Sequence, residues 1–147
     1  MLYRIIFNLH IVVSFLALLS GILLVARAMI GWTRKKEFVH TDLRLSLIFT
    51  VSLYAQLILG SGIYYMLRAS SDHPILMVPP SNDDPSLRFW AIEHIALMIF
   101  ALLIAQLGRI YIRNSRNSLN RYKASLFYYG IPLVLILFSL GMAIISE

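Results

Sequence analysis

The chain contains no cysteine. That excludes disulfides, thiolate-bound metals and cysteine nucleophiles. It is also poor in charge. Asp, Glu, Lys and Arg make up 14% of its residues, against about 25% in soluble domains. Acids are the scarcer sign, seven against 13 Lys and Arg. No serine–histidine–acid set, glycine-rich phosphate loop or HExxH pattern is present, so the common signatures of hydrolases, nucleotide-binding enzymes and zinc peptidases are missing.

What the chain does have is apolar sequence. Of its 147 residues, 59% are hydrophobic, and they fall into four long runs. Each run is long enough to cross roughly 30 Å of hydrocarbon at about 1.5 Å per residue. The reading is all-α: an integral membrane up-down-up-down four-helix bundle, one domain over 1–147. The helices are expected at about 4–30, 43–67, 88–112 and 124–146. Thr41 or Asp42 is the expected N-cap of helix 2, and "DDPS" opens helix 3 with a capping residue and a first-turn proline. Three prolines in the second half of the 68–87 loop rule out a continuous helix there, and Pro132 should kink helix 4. "VARA" at 25–28 offers a signal-peptidase-like site, but the long apolar run and the "TRKK" after it favour a retained helix.

The net charge of +6 is not a nucleic-acid signal, because the basic residues cluster beside membrane spans. Arg34, Lys35, Lys36 and Arg44 follow helix 1. Arg109, Arg113, Arg116, Arg121 and Lys123 follow or close helix 3. The remaining loop holds Arg68 with Asp72, Asp83 and Asp84. Both basic loops are therefore expected in the cytoplasm and both termini outside it. In such a bundle helices 1 and 3 are diagonal.

Depth then organises the polar residues. His10 lies six residues after Arg4, and His94 six after Arg88. Gly62 lies six before Arg68, and Gly141 six before Glu147. All four sit roughly 9 Å below those charges at about 1.5 Å per residue. The stripe from His10 reads Ser14, Ala17, Gly21, Leu24, Ala28. The stripe through His94 reads Ala91, Met98, Ala101, Ala105, Gly108. Small residues mark helix–helix contact, so both imidazoles are expected to point inward. Gly60, Gly62 and Gly141 offer space on the other two helices.

That arrangement suits haem b, with His10 and His94 as axial ligands of its iron. Arg4, Arg68 and Arg88 lie at the level of its propionates. The competing reading is two buried histidines hydrogen-bonded to neighbours such as Ser14 or Gln56. Glu93 points about 100° away from His94 around the helix. It is a candidate proton acceptor from quinol, or an interfacial acid paired with Arg88. Gln56 is expected to face inward, as a histidine partner or as glue between helices. Gln106 and Arg109 are expected at headgroups, and His40 in solvent. His73 with Asp72, Asp83 and Asp84 reads as a solvated loop rather than a metal set. Tyr64, Tyr65, Trp90, Tyr128, Tyr129 and Trp32 fit an interfacial belt. A faint echo relates the hairpins: each of helices 1 and 3 runs from "HI" to an arginine, Arg27 or Arg109.

At these residues the chain resembles a family of small four-helix bacterial membrane proteins, common in Bacteroidota and often catalogued as cytochrome b. The resembling pieces are "LH" in helix 1, "GW" with the basic residues after it, "QLILGSGIYY", "RFWAIEH" and "LGR". "HIVVSF" departs from the family pattern after the first histidine. The resemblance implies haem on His10 and His94, polar roles for Gln56, Arg88 and Glu93, and a bacterial inner membrane. It implies no particular substrate.

Two readings stand. One is a haem-b electron carrier, alone or as a respiratory subunit, with quinone as the candidate exchange partner. The other is a cofactor-free scaffold subunit whose polar layer fixes packing. A small transporter fits worst, since so few charges point inward. The partners expected are the lipid bilayer, a quinol or redox subunit, and a second copy or larger complex; nucleic acid is not among them.

Overall fold

A computed structural model describes residues 1–70 and 92–145, with side chains described over 1–66 and 92–142. Four helices make up this structure: α1 (Leu2–Thr33), α2 (His40–Ser70), α3 (His94–Asn114) and α4 (Ser118–Ile145). Each contains a segment long and apolar enough to cross a membrane. The chain is an all-α, multi-pass membrane four-helix bundle. Each helix packs against the next and α4 closes back on α1, which leaves α1 and α3 on one diagonal.

The bundle is inverted relative to a soluble one. Phe15, Leu19, Ile58, Phe100, Leu103 and Val134 are exposed, as lipid-facing residues should be. Small and polar side chains share the inside with a few large ones, Leu24, Phe49, Leu53, Ile112 and Tyr129 among them. Ala17, Gly21 and Ala28 are buried on α1, and Ala101, Ala105 and Gly108 on α3. Lipid tails are as apolar as leucine, so close packing rather than water exclusion brings the helices together. Two glycines set how close. A Cβ on Gly31 would lie 2.3 Å from Cζ of Tyr122, and one on Gly108 would lie 2.3 Å from Cβ of Tyr128.

On α2 the inward stripe is polar: Asp42, Ser46, Thr50 and Gln56 are buried. The hydroxyls are satisfied within their own helix. Ser46 donates to the Leu43 carbonyl at 2.8 Å, Thr50 to Ser46 at 2.8 Å, and Ser52 to Ile48 at 2.8 Å. This back-bonding makes a serine-rich face cheap to bury.

Several boundaries differ from the expected ones. Helix α2 starts at His40 rather than 43, because Asp42 acts from the third helical position. Its Oδ2 accepts the Val39 N–H at 3.1 Å, the acidic half of a capping box. Helix α4 starts at Ser118 rather than 124. The Asn117 Oδ1 accepts the N–H groups of Leu119 at 2.8 Å and Asn120 at 3.3 Å, so the polar stretch up to Lys123 is helix rather than loop. The described start of α3 is His94, after a π turn at 92–93. Pro132 is buried inside a continuous α4. The 71–91 stretch, with Arg88, Trp90, "DDPS" and the His73 loop, lies outside the described residues.

Tyr129 is not part of an interfacial belt. It is fully buried, edge-on to Phe49 with centroids 5.8 Å apart. Gly21 makes room for Phe49 on the facing helix, since a Cβ there would lie 2.8 Å from the phenyl ring. Trp32 and Tyr65 are exposed as a belt requires.

Candidate functional site

The diagonal helices α1 and α3 carry the two histidines into one layer. The His10 and His94 ring centroids lie 6.5 Å apart, with the planes inclined at 70°. Both rings are half-buried. Matched depth and small-residue stripes led to the expectation of inward-pointing rings at one level with a shared space between them; the structure brings the two rings edge to face.

The surroundings of the two rings differ. His94 Nδ1 lies 2.7 Å from the hydroxyl of Ser139 on α4, which is itself buried. That bond fixes the orientation of the ring. His10 is held through its backbone instead. Its carbonyl accepts from the Ser14 hydroxyl at 2.8 Å and from Gln56 Nε2 at 3.0 Å. Gln56 Nε2 also donates to the Ser14 hydroxyl. So Gln56 faces inward and ties α2 to α1, as expected, but it contacts the His10 backbone rather than its ring. Two buried polar atoms of this layer have no hydrogen-bond partner among the described residues: His10 Nδ1 and Gln56 Oε1. Leaving such an atom unpaired costs about 1–3 kcal/mol.

The glycines sit as follows. Gly60 packs on His10, where a Cβ would lie 3.4 Å from Cε1 and 3.9 Å from Nδ1. A Cβ on Gly62 or Gly141 would meet no atom of the described residues within 4 Å. Arg4 is exposed. The Arg68 side chain and all of Arg88 lie outside the described residues. Glu93 is exposed at the N-terminal end of α3.

A second polar centre, at the basic end of the bundle, was not anticipated. Asp42 is 1% exposed. Its Oδ1 pairs with Arg27 Nε at 2.7 Å, and its Oδ2 accepts the Tyr122 hydroxyl at 3.0 Å. The same hydroxyl lies 2.9 Å from the Glu37 carbonyl oxygen. Phe38 packs against Tyr122 with the rings tilted at 55° and centroids 5.0 Å apart, and the Arg121 guanidinium lies 5.2 Å over Phe38. The Phe38 N–H donates to the Ser118 hydroxyl at 3.1 Å. This knot joins α1, α2 and the start of α4. An arginine inside the end of one apolar run and an aspartate opening the next was the signal for it.

Comparison with family models, with curated protein sequences and with solved structures finds no match to this chain. The functional reading therefore rests on the geometry.

Proposed function

We propose that the chain is a b-type haem protein of the membrane that carries electrons. The observation that carries this reading is the pair of imidazoles brought from diagonal helices to 6.5 Å between centroids. The layer around them fits. His10 has a buried ring nitrogen with no hydrogen-bond partner among the described residues, the ring of His94 is oriented by Ser139, and Gly60, lacking a side chain, lets α2 pack on the His10 ring. A metal-binding histidine characteristically bonds its other nitrogen to a fixed neighbour.

His10 and His94 would hold the iron, with Gly60, Gly62 and Gly141 leaving space and Arg4, Arg68 and Arg88 assigned to the propionates. Haem so bound supplies reversible one-electron exchange with no open coordination position. Gln56 holds α2 against α1 and so keeps His10 at its depth. Glu93 is assigned proton uptake from a quinol. Under this reading Glu93→Gln slows quinol-dependent reduction and leaves the haem bound; unchanged kinetics across pH would make Glu93 an interfacial anchor. The basic loops face the cytoplasm of a bacterial inner membrane, and both termini face out.

A second reading, a cofactor-free scaffold subunit, is favoured by the same separation, because aromatic rings in direct contact span about 4.5–7 Å. The reduced-minus-oxidised spectrum of the purified protein separates the two. A haem band in stoichiometric amount supports the carrier. A colourless protein, still colourless after haem is supplied during expression, establishes the scaffold.

A further inference from the structure

The basic end of the bundle contains a cavity of about 250 Å³ between α2 and α3. Four basic side chains line it: His40 and Arg44 from α2, Arg109 and Arg113 from α3. Ser46 lies at its inner wall, and Leu43 and Leu47 form an apolar side. No acid lines it.

Arg109 is the residue that needs explaining. Its Nη1 is buried and has no hydrogen-bond partner among the described residues. A half-buried guanidinium with one nitrogen unpaired is a ready partner for an anion. Ser125 of α4 adds a buried hydroxyl with no hydrogen-bond partner among the described residues, and the Tyr129 hydroxyl, close to Ser46 and Thr50, lies within electrostatic range of Arg109.

The other hairpin shows what is missing. Arg27, near the corresponding end of α1, has the Asp42 carboxylate at 2.7 Å. Arg109 makes no ion pair among the described residues. Where the first hairpin carries its anion in the sequence, the second does not.

We infer that this cavity binds a phosphate-bearing anion, and that an anionic phospholipid headgroup is its natural source. Arg109 stands five residues inside the end of α3, roughly 7.5 Å along the helix, which is headgroup depth. The exposed Leu47 and Ile110 continue from the cavity onto the lipid-facing surface, where acyl chains would lie. Basic pockets between membrane helices are recurrent sites for such headgroups. This site is separate from the histidine layer and stands whether or not haem is bound.

The test uses the full-length protein in a neutral detergent. Short-chain phosphatidylglycerol, phosphatidylcholine and inorganic phosphate are titrated separately, with melting temperature and affinity read for each. Phosphatidylglycerol raises the melting temperature and phosphatidylcholine does not. Arg109→Gln and Arg113→Gln each weaken phosphatidylglycerol binding about fivefold, whereas Arg116→Gln, an exposed arginine that does not line the cavity, leaves it unchanged. If Arg109→Gln does not fold, Arg113→Gln and Arg44→Gln, both exposed, carry the comparison. A response to inorganic phosphate that depends on the same arginines supports the site and assigns it a soluble source. Equal stabilisation by phosphatidylcholine, no response to either anion, or equal loss in Arg116→Gln overturns it.

Discussion

Ser139 and Asp42 show how single side chains hold this bundle in register. Ser139 gives His94 a hydroxyl partner from the neighbouring helix. Under the haem reading, Ser139→Ala leaves the ligand in place but removes its hydroxyl partner. Haem affinity in a titration of the apoprotein then falls about 10–100-fold; an unchanged affinity would detach Ser139 from the site. Asp42 is buried while Arg27 is 45% exposed, so the two partners are not equivalent. Removing Arg27 leaves a carboxylate that still accepts from Tyr122 and Val39. Removing the carboxylate takes the acceptor from the helix start and the arginine together, and leaves the Tyr122 hydroxyl only the Glu37 carbonyl. Asp42→Ala should therefore cost about 2–3 kcal/mol, and Arg27→Gln clearly less. Thermal unfolding in detergent reads the difference, and equal losses would contradict this ordering.

At the scale of elements, glycine placement sets the helix separations. Gly108→Ala drives a methyl group to 2.3 Å from Cβ of Tyr128 and 3.6 Å from its Cα. Neither atom can swing aside, so α3 and α4 must part. Overpacking of this kind costs about 1–3 kcal/mol. Gly130→Ala meets nothing within 4 Å and should be neutral or stabilising by up to about 1 kcal/mol. A lower melting temperature for Gly108→Ala alone is the expected outcome; equal behaviour of the two would refute the close approach. The same elements show what a single sequence reveals. The stripes through Ala17 and Ala101 were legible because small residues repeat at the helical period. The inward Gln56 was legible because an amide in an apolar run needs a partner. The start of α4 was not, because a run of polar residues reads as loop until Asn117 is seen capping it. Burial of Tyr129 and Asp42 was hidden for a related reason: each is accommodated by residues distant in sequence, Phe49 and Gly21 for the one, Arg27 and Tyr122 for the other.

For the whole molecule, the distribution of charge and the histidine layer make one structure with two unlike ends. The basic residues other than Arg4, Arg68 and Arg88 gather at one end, and the imidazoles lie toward the other. A reporter fused after Glu147 should appear outside the cytoplasm and one inserted near Asn117 inside; the reverse would put the histidines on the inner side. The most direct test of the central claim is the spin state of iron in the purified protein and its histidine variants. The account predicts one low-spin haem per folded chain, lost in His10→Ala and in His94→Ala, restored by added imidazole, and untouched by His40→Ala and His73→Ala. A folded protein that binds no haem, or a low-spin signal that survives both single alanine variants, would contradict it.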